Sequence, residues 1–213
     1  MEKSGNMARK PMYDGGTKNK IVEVASKMFF EKGYEGTSVR AIMREVGGEI
    51  GLFYYYYESK DALFSDVLEN FFEPYKAEFE KIARGAQTDP YQPLLRFFVY
   101  VKKQVRIFRE KYEANMHRTV RWAIRERTLT VMEPYIERII RAIVPFGAKP
   151  VMPVPLTAVF LSHGIGSIIL HEDADWVDDS TEELRKTVNL IMGLDKETSE
   201  KMFGYSIYIN KNK

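Results

Sequence analysis

The side chains best suited to chemistry in this sequence are hydroxyl and basic groups at the predicted starts of short helices. They are Thr17, Lys18, Thr37, Ser38, Arg40 and Lys60. Helix-start amides, hydroxyls and cationic groups are donors that proteins use to hold phosphate oxygens. Each residue also has an ordinary alternative, because Thr37 could cap a helix in any helical protein and Arg40 or Lys60 could be surface charges. Taken singly, each of these residues is compatible with phosphate contact, helix capping or an ordinary surface charge, and the residue types alone leave these interpretations open.

Bond-making chemistry has little support in the sequence. The histidines do not stand at HxxxH or HExxH spacing, and no nucleophile motif, P-loop or dinucleotide-binding fingerprint is present. One weak metal-site candidate combines a histidine with nearby acids: His171, Glu172, Asp173 and Asp175. The absence of cysteine excludes a disulfide framework and a thiolate zinc site. We predict that the protein is not an enzyme and carries no metal or cofactor.

The elements that position these residues are helices, and the fold class predicted is all-α. Apolar residues recur at i, i+3, i+4 and i+7, and sustained alternation is rare. The first apolar stripe contains Ile21, Ala25, Met28 and Phe29. It ends at Gly33, which suits the left-handed position after a helix, and Thr37 offers an N-cap hydroxyl for the next helix. The second stripe is short and contains Val39, Ile42, Met43 and Val46.

A third helix is predicted over about Glu49–Tyr57, after a tight turn that Gly47 and Gly48 permit. Its predicted buried face contains Ile50, Phe53, Tyr54 and Tyr57. Leu52 and Tyr55 fall off this face and are free to contact a partner. Ser59 is placed to cap the helix that follows. Three short helices with a glycine turn are the layout of a helix-turn-helix at about residues 38–57, although a generic small helical bundle has the same periodicity.

The order of residues in this region resembles the N-terminal domain of the TetR family of transcription regulators. The resemblance lies in IVEVASKMFFEKGY at 21–34 and TSVRAI at 37–42. It continues in Gly47, Gly51, Phe53, Tyr54, Tyr56, Ser59 and Lys60. It covers residues 15 to about 75, and beyond them only the helical layout agrees. The resemblance implies a sequence-specific DNA-binding regulator, most simply a ligand-responsive repressor that acts as a homodimer.

The resemblance also implies which residues meet double-stranded operator DNA. The third helix would enter the major groove, which distinguishes all four base pairs, and Gly51 would allow close approach of the backbone. Phosphate contacts would come from residues at the starts of the first, second and fourth helices and from Tyr54. The full candidate set is Thr17, Lys18, Thr37, Ser38, Arg40, Gly48, Glu49, Gly51, Leu52, Tyr54, Tyr55 and Lys60.

Two departures from the family pattern fall at the entrance of the third helix. Members usually have Ser or Thr where this chain has Glu49, and a branched apolar residue where it has Gly48. A carboxylate repels phosphates, so Glu49 could instead accept from a cytosine amino group or interact with its own helix start. The third helix also contains no Lys or Arg. The alternative function is therefore a helical interaction protein that has lost specific DNA binding.

The rest of the chain is predicted to form a helical ligand-binding and dimerisation domain over residues 76–213. A stripe from Phe64 to Ile82 contains Pro74, which we expect to kink or split the helix. Further helices are predicted at Leu94–Glu110, Glu113–Glu126, Thr128–Val144, Leu156–Leu170 and Glu182–Leu194. The connector PFGAKPVMPVP is too apolar to be a free linker, and the tail 196–213 is predicted to be extended. Residues 1–14, with Arg9 and Lys10, are predicted to be a flexible arm.

Two of these helices, at 156–170 and 182–194, are predicted to form a four-helix bundle with a second copy of the chain. The small residues Ser162, Gly166 and Ser167 would permit close helix approach, although a close crossing within one chain is an equal alternative. A small-molecule effector would lie within residues 94–170. The candidate contacts are Tyr100, Gln104, His117, Arg121, Trp122 and His163.

Charge is unevenly distributed in this second half. Residues 96–127 contain ten Lys or Arg and three acids, a net charge of +7, whereas residues 172–200 contain three bases and ten acids, a net charge of −7. These segments are either solvated helix faces that partly attract each other or, near the basic segment, a pocket for an anion. Arg118, Arg121 and Arg125 would favour an anionic effector only if at least one of them points inward. No stretch is long and apolar enough to suggest a membrane span or a signal peptide, so a cytoplasmic location is predicted.

Overall fold

A computed structural model describes residues 15–112, 114–171 and 181–203. The described part of the chain is helical and contains no strand. Its α-helices are α1 Gly15–Lys32, α2 Val39–Val46, α3 Ile50–Tyr56, α4 Lys60–Gly85, α5 Pro93–Tyr112, α6 Arg118–Ile143, α7 Val154–Ile169, α8 Thr181–Met192 and α9 Lys196–Phe203. A short 3₁₀ turn, Val144–Phe146, follows α6. The all-α prediction is confirmed, whereas the predicted arm 1–14 lies outside the described residues.

The described residues form two compact units. The first contains the chain up to Phe71 together with Asn115–Val120. The second contains Phe72–Ala114 and the chain from Arg121 onward. Two helices, α4 and α6, therefore contribute residues to both units.

The first unit is held together by apolar side chains of α1 to α4. Ile21, Ala25 and Phe29 of α1 are fully buried, and so are Ile42 of α2 and Phe53 of α3. Three aromatic rings extend this core: Phe64 of α4 lies 5.0 Å from Phe29 and 5.1 Å from Tyr34, measured between ring centroids. Burial of such side chains stabilises a small helical unit more than helix propensity does, because helices of this length are marginal alone.

His117 also belongs to the first unit. Its backbone N–H donates to the carbonyl of Phe30 at 2.6 Å. Its imidazole lies against Gly33, where a Cβ atom would come within 2.4 Å of Nδ1. The structure places His117 against the end of α1, whereas Tyr100 and His163 belong to the second unit, and the role of His117 in an effector site stays a prediction.

The second unit is built around aromatic and aliphatic residues of α4 to α7. Phe79 of α4 lies 4.7 Å from Phe97, 5.8 Å from Tyr100 and 5.5 Å from Tyr135, between ring centroids. In the part of α6 that belongs to the second unit, five residues are fully buried: Met132, Ile136, Ile139, Ile140 and Ile143. On the surface, the guanidinium of Arg138 bridges α6 to α4 through two hydrogen bonds to Glu80, of 2.6 and 3.1 Å.

Helices α6 and α7 cross closely within the chain. Ser162 is buried and its hydroxyl donates to the carbonyl of Leu129. Gly166 is buried as well, and a Cβ atom there would lie 2.5 Å from the Met132 methyl carbon. Of the two roles open for these small residues, the intramolecular crossing is correct for Ser162 and Gly166, because both face α6 of the same chain.

Two predicted boundaries are wrong, and of the two outcomes open for Pro74, a kink or a split, the split does not occur. A single helix, α6, replaces the separate helices predicted at Glu113–Glu126 and Thr128–Val144, because the Thr128 hydroxyl donates back to the Ile124 carbonyl at 2.7 Å instead of capping a new helix. Helix α4 continues through Pro74 and is not split. Part of the tail predicted to be extended is helical, since Asp195 accepts from the Thr198 N–H at 2.8 Å and starts α9. Residues 204–213 and Glu113 lie outside the described residues.

The connector between α6 and α7 is tied to the rest of the second unit, as its apolar character predicts. The N–H groups of Lys149 and Val151 donate to the carbonyls of Met192 and Ile191, each at 3.0 Å. These bonds satisfy the carbonyl end of α8, which would otherwise lack partners.

Gly33→Ala is predicted to lower the free energy of unfolding by about 1–2 kcal/mol. The residue adopts φ = +77°, which favours glycine, and the added methyl group would collide with the His117 ring. Chemical denaturation measures the change, and the double variant with His117→Ala removes the collision but keeps the backbone strain. Gly85→Ala is the control, because a Cβ atom there meets nothing within 4 Å. Equal stabilities for Gly33→Ala and the parent protein would contradict this assignment.

Candidate functional site

The second helix starts with a hydroxyl cap from Ser38. Its backbone is extended, with φ = −102° and ψ = 150°, and its Oγ accepts from the Ala41 N–H at 3.2 Å. The side chain stays exposed while it caps the helix. Arg40, in the first turn of α2, is also exposed. The start of α2 therefore presents a hydroxyl and a guanidinium to solvent beside the positive end of the helix dipole.

Thr37 does not cap α2. It is fully buried, and its Oγ1 lies 2.8 Å from the Gly33 carbonyl oxygen and 3.1 Å from the Met28 carbonyl oxygen. Its single hydroxyl proton is therefore committed to the carboxyl end of α1, and its N–H lies 3.3 Å from the Tyr34 carbonyl oxygen. The predicted cap is wrong, and the predicted phosphate contact by the Thr37 hydroxyl is contradicted by its burial.

Lys60 also has an internal role. Its Nζ donates to the carbonyls of Tyr34 at 3.0 Å and Thr37 at 3.2 Å, and lies 3.9 Å from the centre of the Tyr34 ring. The Tyr34 hydroxyl in turn donates to Asp61, the next residue of α4. Burial and that hydrogen bond raise the pKa of Tyr34 to about 12. Lys60, predicted to contact phosphate with an ordinary surface charge as the alternative, thus links α4 to the turn after α1. The predicted Ser59 cap is confirmed, since its Oγ accepts from the Ala62 N–H at 3.0 Å.

The turn between α2 and α3 depends on its two glycines. Gly47 adopts φ = +79°, and its N–H donates to the carbonyls of Met43 and Arg44 at the end of α2. At Gly48, a Cβ atom would lie 2.9 Å from the Met43 methyl carbon and 3.0 Å from Leu52 Cδ2. The space that a branched residue would fill at position 48 is therefore occupied by the side chains of Met43 and Leu52.

Helix α3 presents a solvent-facing surface that contains one glycine and two tyrosines, Gly51, Tyr54 and Tyr55. Phe53 is fully buried and anchors the helix, whereas 60% of Tyr54 and 63% of Tyr55 is exposed. A Cβ atom at Gly51 would meet nothing within 4 Å. The prediction that Ile50 and Tyr54 lie on the buried face is wrong: Ile50 is 39% exposed, because a helix of seven residues buries only one narrow side.

Glu49 stands at the N-terminal end of α3. It is exposed and its side chain forms no capping hydrogen bond with the helix. Of the two roles considered for Glu49, interaction with its own helix start is thus not observed as a hydrogen bond. The carboxylate is available to an external donor.

An ion-pair cluster that sequence analysis missed holds α1 against α4. Lys18 Nζ lies 3.1 Å from Asp66 Oδ2, and the Tyr57 hydroxyl donates to the same oxygen at 2.6 Å. Burial alone would raise the pKa of the Asp66 carboxyl, but the hydrogen bonds from Tyr57 and Lys18 outweigh it and lower the pKa. Burial and this contact raise the pKa of Tyr57. No local pattern could have revealed the cluster, since Lys18 and Asp66 are distant in sequence. Thr17, beside Lys18, is partly exposed.

The remaining effector candidates all lie in the second unit but make separate contacts. His163 Nε2 lies 2.8 Å from Glu133 Oε1, and Tyr100 packs edge-on against Phe79. Gln104 is partly exposed, and half of Trp122 is exposed. Arg121 differs from the others, because its Nε is buried and meets no hydrogen-bond acceptor in the described part of the chain.

Residues 15–112, 114–171 and 181–203 contain no group of three or more His, Asp or Glu that could hold a metal ion. Within those ranges, no helix combines the length and apolar character that crossing a membrane would require. The weak metal candidate at Glu172, Asp173 and Asp175 lies outside the described residues.

Comparison with known proteins points to one family. A sequence profile described as "Bacterial regulatory proteins, tetR family" matches residues 21–67. The "Probable HTH-type transcriptional regulator YttP" of Bacillus subtilis (strain 168) is 30% identical over 113 residues, 53% of this chain and 51% of that protein. The "HTH-type transcriptional repressor DhaR" of Mycobacterium sp. (strain GP1) is 30% identical over 95 residues, 45% of this chain and 46% of that protein. The chain thus matches about half the length of these curated relatives.

Solved structures show the same fold. NalD, the secondary repressor of the MexAB-OprM multidrug efflux pump in Pseudomonas aeruginosa, has a TM-score of 0.53 at 19% identity, covering 81% of this chain and 94% of that chain. The SmeT–triclosan complex has a TM-score of 0.52 at 14% identity, covering 86% of this chain and 94% of that chain. At these identities the likeness concerns the fold.

Asp66→Asn is predicted to lower the free energy of unfolding by about 1–2 kcal/mol at pH 7, because it removes a charged hydrogen-bond acceptor. The folded-state pKa of Asp66 is lowered, so its contribution is complete above the ordinary pKa of 3.8 and disappears as the pH falls through the lowered value. Denaturation at pH 7 and at about pH 3 checks this, with the exposed Glu45→Gln as control. A difference between parent and Asp66→Asn that stayed constant over this pH range would count against the cluster.

Proposed function

The chain belongs, through residues 21–67, to the tetR family of bacterial regulatory proteins, and we propose that it is a ligand-responsive repressor that binds operator DNA as a homodimer. The observation that carries the proposal is the exposed surface of α3. Gly51, Tyr54 and Tyr55 face solvent there, while Phe53 anchors the helix in the core of the first unit. A protein that occupies a promoter with this surface needs no further partner, so repression is the simplest outcome. The proposed location is the cytoplasm, because the DNA lies there.

The dimensions of α3 suit the major groove. Seven residues make a helix about 10 Å long, and the major groove of B-DNA is about 12 Å wide. Because the helix has no side chain at Gly51, its backbone can approach the groove floor closely. Base readout then falls to Leu52 and Tyr55, and Glu49 can accept from a cytosine amino group.

Phosphate contacts are assigned to groups that remain exposed. Ser38 and Arg40 at the start of α2 and the Tyr54 hydroxyl meet this condition. Thr17 and Lys18 stand at the start of α1, although Lys18 already pairs with Asp66. Thr37 and Lys60 act indirectly in this proposal, because their hydrogen bonds orient the start of α2. These contacts set the register of the protein on DNA rather than its sequence preference.

A homodimer interface is proposed on α7 and α8. Leu156, Val159 and Phe160 follow one another at helical spacing on α7, and 53%, 38% and 50% of their surfaces is exposed. Leu190 of α8 is 74% exposed. Large apolar residues grouped in this way are costly in water unless a partner covers them. A second copy of the chain fits best, because a two-fold dimer pairs two reading helices on one operator.

The effector is proposed to bind within the second unit. The SmeT structure contains triclosan, and a small molecule is the corresponding class of ligand for this chain. The candidate residues there are Tyr100, Gln104, Arg121, Trp122 and His163. An effector can release DNA only if it binds the DNA-free state more tightly than the DNA-bound state.

The proposed function is tested by binding of the purified protein to DNA flanking its own gene and to random DNA of equal length. Specific binding should weaken by about 10³ to 10⁵ between about 50 and 200 mM salt, for about 6–10 phosphate contacts. The variant Gly51→Ala sharpens the test, because alanine favours a helix by about 1 kcal/mol while its methyl group would obstruct the groove. We expect this variant to be more stable but to bind the operator at least about ten-fold more weakly.

Gly85→Ala is the matched control for Gly51→Ala, since neither site has an atom within 4 Å of the new Cβ. The variant Gly85→Ala should leave DNA affinity unchanged. Unchanged operator affinity for Gly51→Ala would remove α3 from the groove. Failure of the ligand-free protein to select any sequence from genomic DNA would favour the interaction-protein alternative instead.

Phe160→Glu is predicted to weaken dimerisation by at least about 30-fold, or about 2 kcal/mol, because it buries an unpaired charge in the interface. Analytical ultracentrifugation over a concentration series measures the dissociation constant. Val99→Glu is the matched control, since Val99 is equally apolar and 57% exposed, but lies on α5. If Phe160→Glu sediments as the parent does, the interface is elsewhere.

A further inference from the structure

Two arginines of the second unit converge on the carboxyl end of α7. Arg109 of α5 donates to the carbonyl of His171, just beyond the helix. Arg125 of α6 donates to the Ser167 hydroxyl in the last turn of α7 at 3.2 Å. The helix dipole stabilises cationic groups at the carboxyl end of a helix. The dipole of α7 therefore explains why Arg109 and Arg125 lie there.

A third arginine in the same region has no such explanation. Arg121 stands one helical turn before Arg125 on α6, so the two side chains share a face. Its Nε is buried without a hydrogen-bond partner among the described residues. Arg121 as a whole is partly exposed, so the cost concerns the Nε–H, and a buried donor of this kind lowers stability unless something else satisfies it. Native proteins leave few such groups unsatisfied without a functional reason.

Carboxylates of the chain do not supply the missing partner in the described ranges. The bonds of Arg109 and Arg125 go to a carbonyl and a hydroxyl, and neither bond neutralises charge. Glu110 and Glu126, the nearest acids in sequence, are exposed. Two guanidinium groups, those of Arg109 and Arg125, therefore contribute positive charge at the end of α7, and Arg121 adds a third on the face of α6 that carries Arg125, without an ion-pair partner for any of them in residues 15–112, 114–171 and 181–203.

We propose that Arg121, with Arg125 one turn away on the same face of α6, binds the anionic group of the effector, which is a small molecule with a carboxylate or phosphate. The inference rests on the proposed ligand-responsive function and specifies its ligand class. A guanidinium presents its N–H donors in a planar fork that matches carboxylate and phosphate oxygens. Of the two interpretations of the basic segment 96–127, the anion site is thus favoured at Arg121.

The test is thermal unfolding of the full chain at constant ionic strength. The probes are inorganic phosphate and benzoate, with chloride and the neutral isostere benzamide as their controls. A ligand that binds only the folded state raises Tm, and we expect a rise of about 3 °C or more with at least one anion and none with benzamide. A rise with phosphate alone or benzoate alone identifies which anionic group the site prefers.

Arg121→Gln and Arg121→Met separate a binding site from a general salt effect. Both variants should lose the rise in Tm, and Arg121→Met in chloride should be at least as stable as the parent, because it removes an unpaired charge. Arg96→Gln, an exposed arginine of the same basic segment, should keep the rise. Equal rises in parent and Arg121→Gln, or no rise with either anion, would overturn the proposal.

DNA binding is measured separately on the same proteins, so the two proposals can fail independently. Loss of the anion response with intact operator binding refutes only the anionic effector. An anion response without binding to any DNA refutes the repressor function and leaves the ligand site.

Discussion

The first unit depends on how the backbone polar groups at the end of α1 are satisfied. The last carbonyls of a helix have no partner within it, and here other elements supply the donors. The Thr37 hydroxyl donates to the Gly33 carbonyl, Lys60 Nζ donates to the Tyr34 carbonyl, and the His117 N–H donates to the Phe30 carbonyl. These donors come from the turn, from α4 and from the residue before α6, and together they hold the start of α2 against the end of α1.

This constraint explains why conspicuous polar residues are not themselves exposed contacts. Thr37 and Lys60 are part of the family resemblance, yet the side chains of both donate hydrogen bonds to backbone carbonyls within the protein. The adjacent residues Ser38 and Arg40 remain exposed because their neighbours hold the backbone in place. In the proposed repressor, one set of residues thus orients the reading surface and another contacts DNA.

Among the described residues of the second unit, two buried side-chain atoms lack a hydrogen-bond partner, Arg121 Nε and Asn189 Oδ1. The Ser162 hydroxyl donates to the Leu129 carbonyl at the helix crossing, and the Arg125 guanidinium donates to the Ser167 hydroxyl. Arg121 alone among these keeps a buried donor unsatisfied in the described part of the chain. A functional residue often lowers stability in the free protein and recovers it on binding, which is the relationship that the proposed anion site would have.

The sequence by itself determined the all-α class, the layout of a helix-turn-helix and the resemblance to the TetR family, because periodicity, capping residues and turn glycines act over a few neighbouring positions. The sequence also predicted that Ser59 caps the helix after α3 and that the apolar connector between α6 and α7 is not a free linker. It could not distinguish Thr37 from Ser38 as a cap, join α6 into one helix or place His117 in the first unit. These outcomes depend on tertiary packing: Phe30 and Gly33, far away in the chain, hold His117, and the burial of Thr37 decides the cap. Only the tertiary structure decided them, because whether a polar side chain is exposed, paired or left unsatisfied depends on what packs against it.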